Sequence, residues 1–229
     1  NQKPTIAAIL AFTHEPDRWI PSSGIDLAIH KTDIPQPLQS RVRQLRGNIF
    51  ETIDQAVKIL EEECSIGYFD GARIVQQLSI PLSVLRELTT NAAVHRDFQK
   101  QGSQVRIQIF PSYVEWTSPG SLPEGVTLTN ILQQQRSRNP TLARFLFHRG
   151  YIETFGMGLD LVFDALKEHQ LPPPELFDDQ DSFRVRITHT KVKASRPDTT
   201  IKIFRIATIL ALFDEKPNWK QREILERLT

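Results

Sequence analysis

Hydrophobic positions recur along this chain with two different periods, and the switches between them divide it into elements. Thr5 to Phe12 is a short apolar run whose alanines, Ala7, Ala8 and Ala11, tilt it toward helix. Pro16, Pro21, Ser22, Ser23 and Gly24 then mark a loop. Ile25-Asp26-Leu27-Ala28-Ile29-His30 alternates as a half-buried strand does. Residues 32–42, with Pro35 and Pro37, read as linker or loop. Ile49, Ile53, Val57 and Ile59-Leu60 recur at helical spacing and predict an amphipathic helix from Asn48 to Glu63. Gly71 to Ile80 reads as extended. Pro81 suits a first helical turn, and the helix it opens is expected to reach Phe98, with Gly102 as its breaker.

The second half follows the same logic. Val105 to Phe110 and Tyr113 to Thr117 alternate on either side of Pro111-Ser112, which predicts a hairpin. Ser118 to Gly125 is rich in turn formers and reads as a loop. Asn139-Pro140 opens a helix to about His148. Gly156-Met157-Gly158 opens another to about His169, ended by Pro172, Pro173 and Pro174. Phe183 to Thr188 is a third alternating strand. Thr190 to Thr199 reads as a linker, and Ile201 to Phe213 and Asn218 to Leu228 as two amphipathic helices. The expected class is α+β.

One of these helices carries unusual polar residues. Glu87, Asn91 and His95 are spaced by four, so they stack along one face while Leu88 and Ala92 can face a core. A carboxylate, an amide and an imidazole in one stripe suit magnesium-nucleotide chemistry. The acid can take a proton from water, and the amide oxygen is a hard ligand for Mg²⁺.

Composition removes several alternatives. A chain of 229 residues with ordinary composition can build a sizeable core in one or two domains. It has no long apolar run and no signal-peptide pattern. Cys64 is its single cysteine, which excludes a disulfide framework and a cysteine-based zinc site. The six histidines are dispersed, so a metal site built on them is not expected. A reducing cytoplasm is the expected compartment. The opening Asn1-Gln2-Lys3-Pro4 lacks methionine, which reads as a piece of a longer chain. Net charge is +1 overall, but the segment from Phe183 onward carries about +6, which favours contact with nucleic acid or with solvent alone.

Among nucleotide motifs, a Walker-type loop is absent from the sequence. His95-Arg96-Asp97 imitates a protein-kinase catalytic loop, but the downstream Asn and Asp-Phe-Gly that would accompany it are missing. The order of parts fits another plan. The Glu87/Asn91 helix is followed by the hairpin and the Ser118-Pro119-Gly120 turn. Ser137-Arg138-Asn139-Pro140 comes next, then Gly156-Met157-Gly158 at a helix start, where glycines let backbone N–H groups approach phosphate. The phrases LRELTTNAAVHRDF, WTSPGSLPEGVTL and SRNPTLARFLFHRGYIETFGMGLDLV make residues 81–166 resemble the divergent GHKL-type (Bergerat-fold) ATPase domain known as the RecG-like helicase C-terminal domain. The early PTIAAILAF stretch resembles the end of a Schlafen/AlbA-like domain. The two final helices look like the start of a winged helix-turn-helix.

The resemblance implies a GHKL-like sandwich of mixed sheet and helices, divided as residues 1–43 (end of a Schlafen/AlbA-like domain and linker), 44–190 (ATPase-like domain) and 191–229 (linker and truncated winged helix). It implies ATP and Mg²⁺ as cofactors, with Glu87 positioning or activating water and Asn91 holding the metal. It places His95 near the phosphates, Gly120 as the first glycine after the hairpin, and Gly156 and Gly158 as the second glycine box. Arg138 and Asn139 fall in the lid, expected over about 127–138. Ser118 stands where such proteins usually carry the Asp that accepts from the adenine amino group. The implied function is an ATP-binding regulatory module of a bacterial DNA-binding transcriptional regulator, with slow ATP hydrolysis within its reach. DNA would be contacted through the complete winged helix, and a homodimer is among the implied assemblies. The rival reading is a dimerisation or interaction module that no longer binds nucleotide, suggested by Ser118-Pro119 in place of the Asp.

Overall fold

In the computed structural model, residues 3–70, 73–134, 136–152 and 158–189 are described. The chain divides into two compact units, Asn1–Ser65 with Gln76–Lys191, and Ile66–Val75 with Val192–Thr229. The helices expected over 201–213 and 218–228 lie outside the described residues. So does the linker expected over 190–199, and so does Gly156.

The first unit is built on a mixed six-stranded sheet. Its strands are β1 (Ile25–Ile29), β2 (Arg41–Leu45), β5 (Val105–Ile109), β6 (Tyr113–Pro119), β7 (Glu175–Asp178) and β8 (Ser182–Thr188), in the order β2-β1-β5-β6-β8-β7. β1 runs parallel to β5, and every other neighbouring pair is antiparallel. The intervening β3 (Ser65–Asp70) and β4 (Arg73–Leu78) form a separate two-stranded sheet.

Five helices belong to the described residues: α1 (Ile6–Phe12), α2 (Ile49–Glu63), α3 (Leu82–Val94), α4 (Pro140–His148) and α5 (Gly158–Glu168). Asn48 caps α2 by a reciprocal box: its side chain accepts from Glu51 N–H, and Glu51 accepts from Asn48 N–H. The inward residues of the sheet, among them Leu27, Ile107, Ile109, Val114 and Ile187, pack on α2, α3 and α5 through Leu60, Leu85, Leu88 and Leu166. A second cluster lies between helices: Leu10 of α1, Ile53 and Val57 of α2, Ala93 and Val94 of α3, and Leu142 and Leu146 of α4. Helix α3 is therefore buried on nearly every side, between the sheet and a second helical layer.

Several elements differ from their sequence reading. The segment 32–42, read as linker, leads into β2, and the expected division between 43 and 44 falls inside that strand. Residues 1–43 supply α1, β1 and part of β2 to the same packing unit as the ATPase-like segment, because β1 pairs directly with β5. Helix α3 ends at Val94 rather than Phe98. His95 N–H closes the last turn on the Asn91 carbonyl, and Asp97 N–H leaves the helix to bond Pro119 O on β6 at 2.7 Å. Ser118 and Pro119, read as loop, extend β6 because they pair with Phe183 and Ser182 of β8. β7 follows the three prolines directly and was not anticipated.

The residues after α3 fix the joint. Arg96 is 1% exposed and donates from Nη1 to Ser22 O, and from Nη2 to Lys100 O (3.0 Å) and Ser103 O (2.8 Å). Burial lowers its pKa to about 10, with Asp97 opposing the shift, so the group stays charged at neutral pH. The three carbonyls, the Phe98 ring 4.9 Å from the guanidinium and the Asp97 charge offset the cost of burying the cation, while its Nε finds no partner among the described residues. Arg96 thus ties the end of α3 to the loop before β1.

Candidate functional site

A cavity of about 240 Å³ opens beside α3, walled by the inner ends of β6 and β8, the first turn of α5 and the loop from Gly120 to Ser137. Leu88, Trp116, Val126, Ile131 and Val185 give it apolar walls. Glu87, Asn91 and His95 line it together, as their four-residue spacing predicts. A mostly apolar cleft with a few convergent polar groups is the usual form of a small-molecule site.

Glu87 is 9% exposed, and Asn91 Nδ2 donates to its Oε1 at 2.9 Å. This bond orients the amide, so Oδ1 is the atom Asn91 keeps for another partner. The pair leaves no room opposite: a Cβ at Gly158 would run into the Glu87 carboxylate and lie 3.2 Å from Asn91 Nδ2. Glycine at 158 lets the N-terminus of α5 approach both residues, and a side chain there would force the Glu87 carboxylate to shift. His95 has its pKa lowered to about 4, by burial first and by the Arg138 charge second, and is neutral at pH 7.

Ser118 lines the cavity, and its Oγ donates to Ala92 O at 2.9 Å. Gly120 also lines it, with φ +99°. A Cβ there would sit 2.7 Å from the Asp97 Cβ, so this turn needs glycine twice over. Arg138 and Asn139, expected in the lid toward nucleotide, do not border the cavity. Arg138 Nη2 donates to Ser121 O at 2.5 Å and Nη1 to Asp97 Oδ2 at 3.4 Å. Asn139 Nδ2 donates to Val94 O (2.7 Å) and Arg96 O (2.8 Å). Asn139 thus fastens the start of α4 to the end of α3, where carbonyls lack intrahelical partners, while Arg138 ties the same stretch to Ser121 and Asp97.

Within the expected lid, Asn130 Oδ1 accepts from Thr127 N–H at 2.7 Å, and Arg136 Nη1 donates to Glu124 O at 2.8 Å. Arg136 and Ser137 border the cavity, although sequence reasoning singled out their neighbours instead. Loop residues carry no periodicity, so nothing in the sequence told which of these four faces inward. Trp116 is 2% exposed and also forms cavity wall, with Nε1 donating to Thr89 Oγ1 at 3.1 Å.

Residues 102–187 match the family model described as "Putative ATP-dependent DNA helicase recG C-terminal". Over this segment the chain is similar to that family. The match contains Ser118, Gly120, Arg138, Asn139 and Gly158 and begins after α3, so Glu87, Asn91 and His95 stand on geometry and resemblance. No curated protein matches the chain. Among solved structures, the DIP2311 protein from Corynebacterium diphtheriae is similar in fold, with TM-score 0.68 and 23% identity. The match covers 92% of this chain and 44% of that one, so this chain spans less than half the length of its structural relative. Among the described residues no helix is long and apolar enough to cross a membrane, and no cluster of three or more His, Cys, Asp or Glu could hold a metal.

Two outcomes follow from this geometry. Gly158→Ala should cost roughly 1–3 kcal/mol through overpacking against Glu87. In a Glu87→Ala background the same change should cost much less, as urea unfolding of the four-member cycle would read out. Equal costs in both backgrounds would refute the close approach.

His95 gives the second. Its folded pKa of about 4 lies below the ordinary 6.5 of histidine, so its contribution is fully present above pH 6.5 and is lost as pH falls toward 4. Between those values the unfolded chain holds a proton the folded chain does not. The loss is at most about 1.4 kcal/mol per pH unit. Denaturant unfolding at pH 7, 5.5 and 4.5 should therefore show a shallower pH dependence in His95→Gln than in wild type, and parallel curves would contradict it.

Proposed function

We propose that the cavity beside α3 binds ATP with Mg²⁺, and that the segment is an ATP-binding regulatory module of a DNA-binding regulator. The observation that carries the reading is the meeting of Glu87, Asn91 and Gly158 at one wall. There an acid, a hard amide ligand and a glycine-opened helix N-terminus come from parts of the chain about seventy residues apart. The family match over residues 102–187 adds the nucleotide as the expected ligand class. Within this reading the fold is Bergerat-like, and the loop over 127–138 is a lid that nucleotide orders.

The residues suit the metal. Asn91 Oδ1 would hold Mg²⁺, since its Nδ2 is already donated to Glu87. Bound Mg²⁺ would neutralise phosphate charge. Glu87 would position or deprotonate an attacking water, and slow hydrolysis is the activity this pairing permits. The backbone N–H groups at the start of α5 would face the phosphates. Neutral His95 would add a hydrogen-bonding group without a second positive charge.

Calorimetric titration tests the core of the reading. ATP with Mg²⁺ should bind to wild type. Asn91→Ala should lose the magnesium-dependent part of the affinity. Glu87→Ala should keep binding and slow any turnover, because that acid acts on the water more than on the ground state. No heat with ATP, ADP or a non-hydrolysable analogue at millimolar concentration would remove nucleotide binding. It would leave the interaction-module reading in its place.

DNA contact is the outer part of the proposal and rests on the basic segment after Phe183. Residues 1–229 should bind a labelled duplex weakly, without sequence preference and with steep salt dependence in fluorescence anisotropy. Tight, salt-resistant and sequence-specific binding by this chain would contradict it.

A further inference from the structure

The six-stranded sheet ends at β2, and among the described residues no further strand lies beyond it. The polarity of this edge follows from its neighbour. His30 N–H bonds Ile109 O on β5, so by alternation Ile25, Leu27 and Ile29 turn their backbone groups toward β2. There they stand opposite Leu45, Arg43 and Arg41. Val42 and Gln44 therefore direct their N–H and C=O groups away from the sheet, where a further strand could pair with them.

The side chains of this edge are sorted by face. Arg41 and Arg43 stand opposite Ile29 and Leu27, on the side of the sheet that packs helices. Arg41 Nη2 reaches Glu63 Oε1 of α2 at 2.7 Å, whereas Arg43 has no ion-pair partner among the described residues. Val42 stands on the other side and is 63% exposed. Ile34 and Leu38, in the segment leading into the strand, are exposed as well. Three of the nine exposed large apolar residues among the described ones thus fall within residues 34–42. Scattered singly such residues need no explanation, but gathered at an open edge they mark a contact surface.

We propose that β2 is the docking edge for an extended peptide segment of a partner protein, one in which acidic residues alternate with apolar ones. Added antiparallel, such a segment bonds the outward groups of Val42 and Gln44 through its main chain. Its residues opposite Arg41 and Arg43 lie on the helix side, where carboxylates meet the guanidinium groups. Those opposite Val42 and Gln44 lie on the other side, where apolar side chains cover Val42. Charge decides between this occupant and a second copy of the chain. Two β2 strands paired antiparallel about Val42 set Arg41 opposite Arg43, and paired about Arg43 they set that arginine opposite itself. Like charges directly opposite destabilise a strand pair. The arginines that keep two copies apart are the ones that select an acidic partner.

Fluorescence anisotropy with a labelled peptide of alternating valine and aspartate tests the proposal, with its valine–lysine counterpart as control. The acidic peptide should bind wild type, and the basic one should bind at least about fivefold more weakly, the size of one exposed ion pair made or lost. Arg43→Glu should reverse that order. Val42→Pro should weaken binding of the acidic peptide at least about tenfold, because proline removes an outward N–H that the sheet itself does not use. Edge strands accept proline, and an unchanged urea midpoint shows that the variant is folded. Acidic-peptide binding untouched by both Val42→Pro and Arg43→Glu would put the contact elsewhere and overturn the proposal. So would equal binding of the two peptides by wild type, or no binding at millimolar concentration. A monomer–dimer equilibrium in sedimentation velocity that Val42→Pro abolishes would assign the edge to a second copy and overturn it too.

Discussion

A helix buried on nearly every side must find an internal partner for each polar group it carries, and α3 is such a helix. Its solutions make the site. Glu87 takes a hydrogen bond from Asn91, and Thr89 takes one from Trp116. The Ala92 carbonyl takes one from Ser118, and the Val94 carbonyl takes one from Asn139. Each partner comes from α3 itself, from β6 or from the residue before α4. Stabilising α3 and building the cavity wall are therefore one arrangement, and a change to either is felt by the other.

The three residues that imitate a kinase loop acquire a different meaning in this setting. His95 borders the cavity. Arg96 turns the other way, into the carbonyls of Ser22, Lys100 and Ser103. Asp97 meets Arg138 and leaves space that only glycine at 120 can fill. Three successive side chains thus reach the cavity, the loop before β1 and the loop before α4. The chain can do this because α3 has just ended, so consecutive residues no longer obey a helical period. His95-Arg96-Asp97 is a structural joint at which three parts of the first unit are fastened.

How much was legible in the sequence depended on whether a signal was local. The helices α2, α4 and α5 and the strands β1, β5, β6 and β8 announce themselves by period, because one face of each meets a continuous core. β2 gave no such signal. It is an edge strand whose first four residues, Arg41 to Gln44, are all exposed, so neither face is marked by apolar residues. β7 is four residues long at the opposite edge, directly after three prolines, and short edge strands carry little pattern. The end of α3 was misplaced by four residues, because Asp97 bonds Pro119 of β6, 22 residues onward.

The sequence by itself determined that Glu87, Asn91 and His95 share one stripe, since a helix places residues four apart on the same face whatever surrounds it. It also determined the α+β class and the resemblance that the match over residues 102–187 supports. Only the tertiary structure decided which residues meet across the cavity. It set Gly158 against Glu87, engaged Arg138 with Ser121 and Asn139 with the end of α3, and fixed the Ser118 proton on Ala92. The division has a plain cause. Periodicity is a property of neighbours along the chain, whereas close approach and hydrogen-bond polarity are set by groups that folding brings together from far apart.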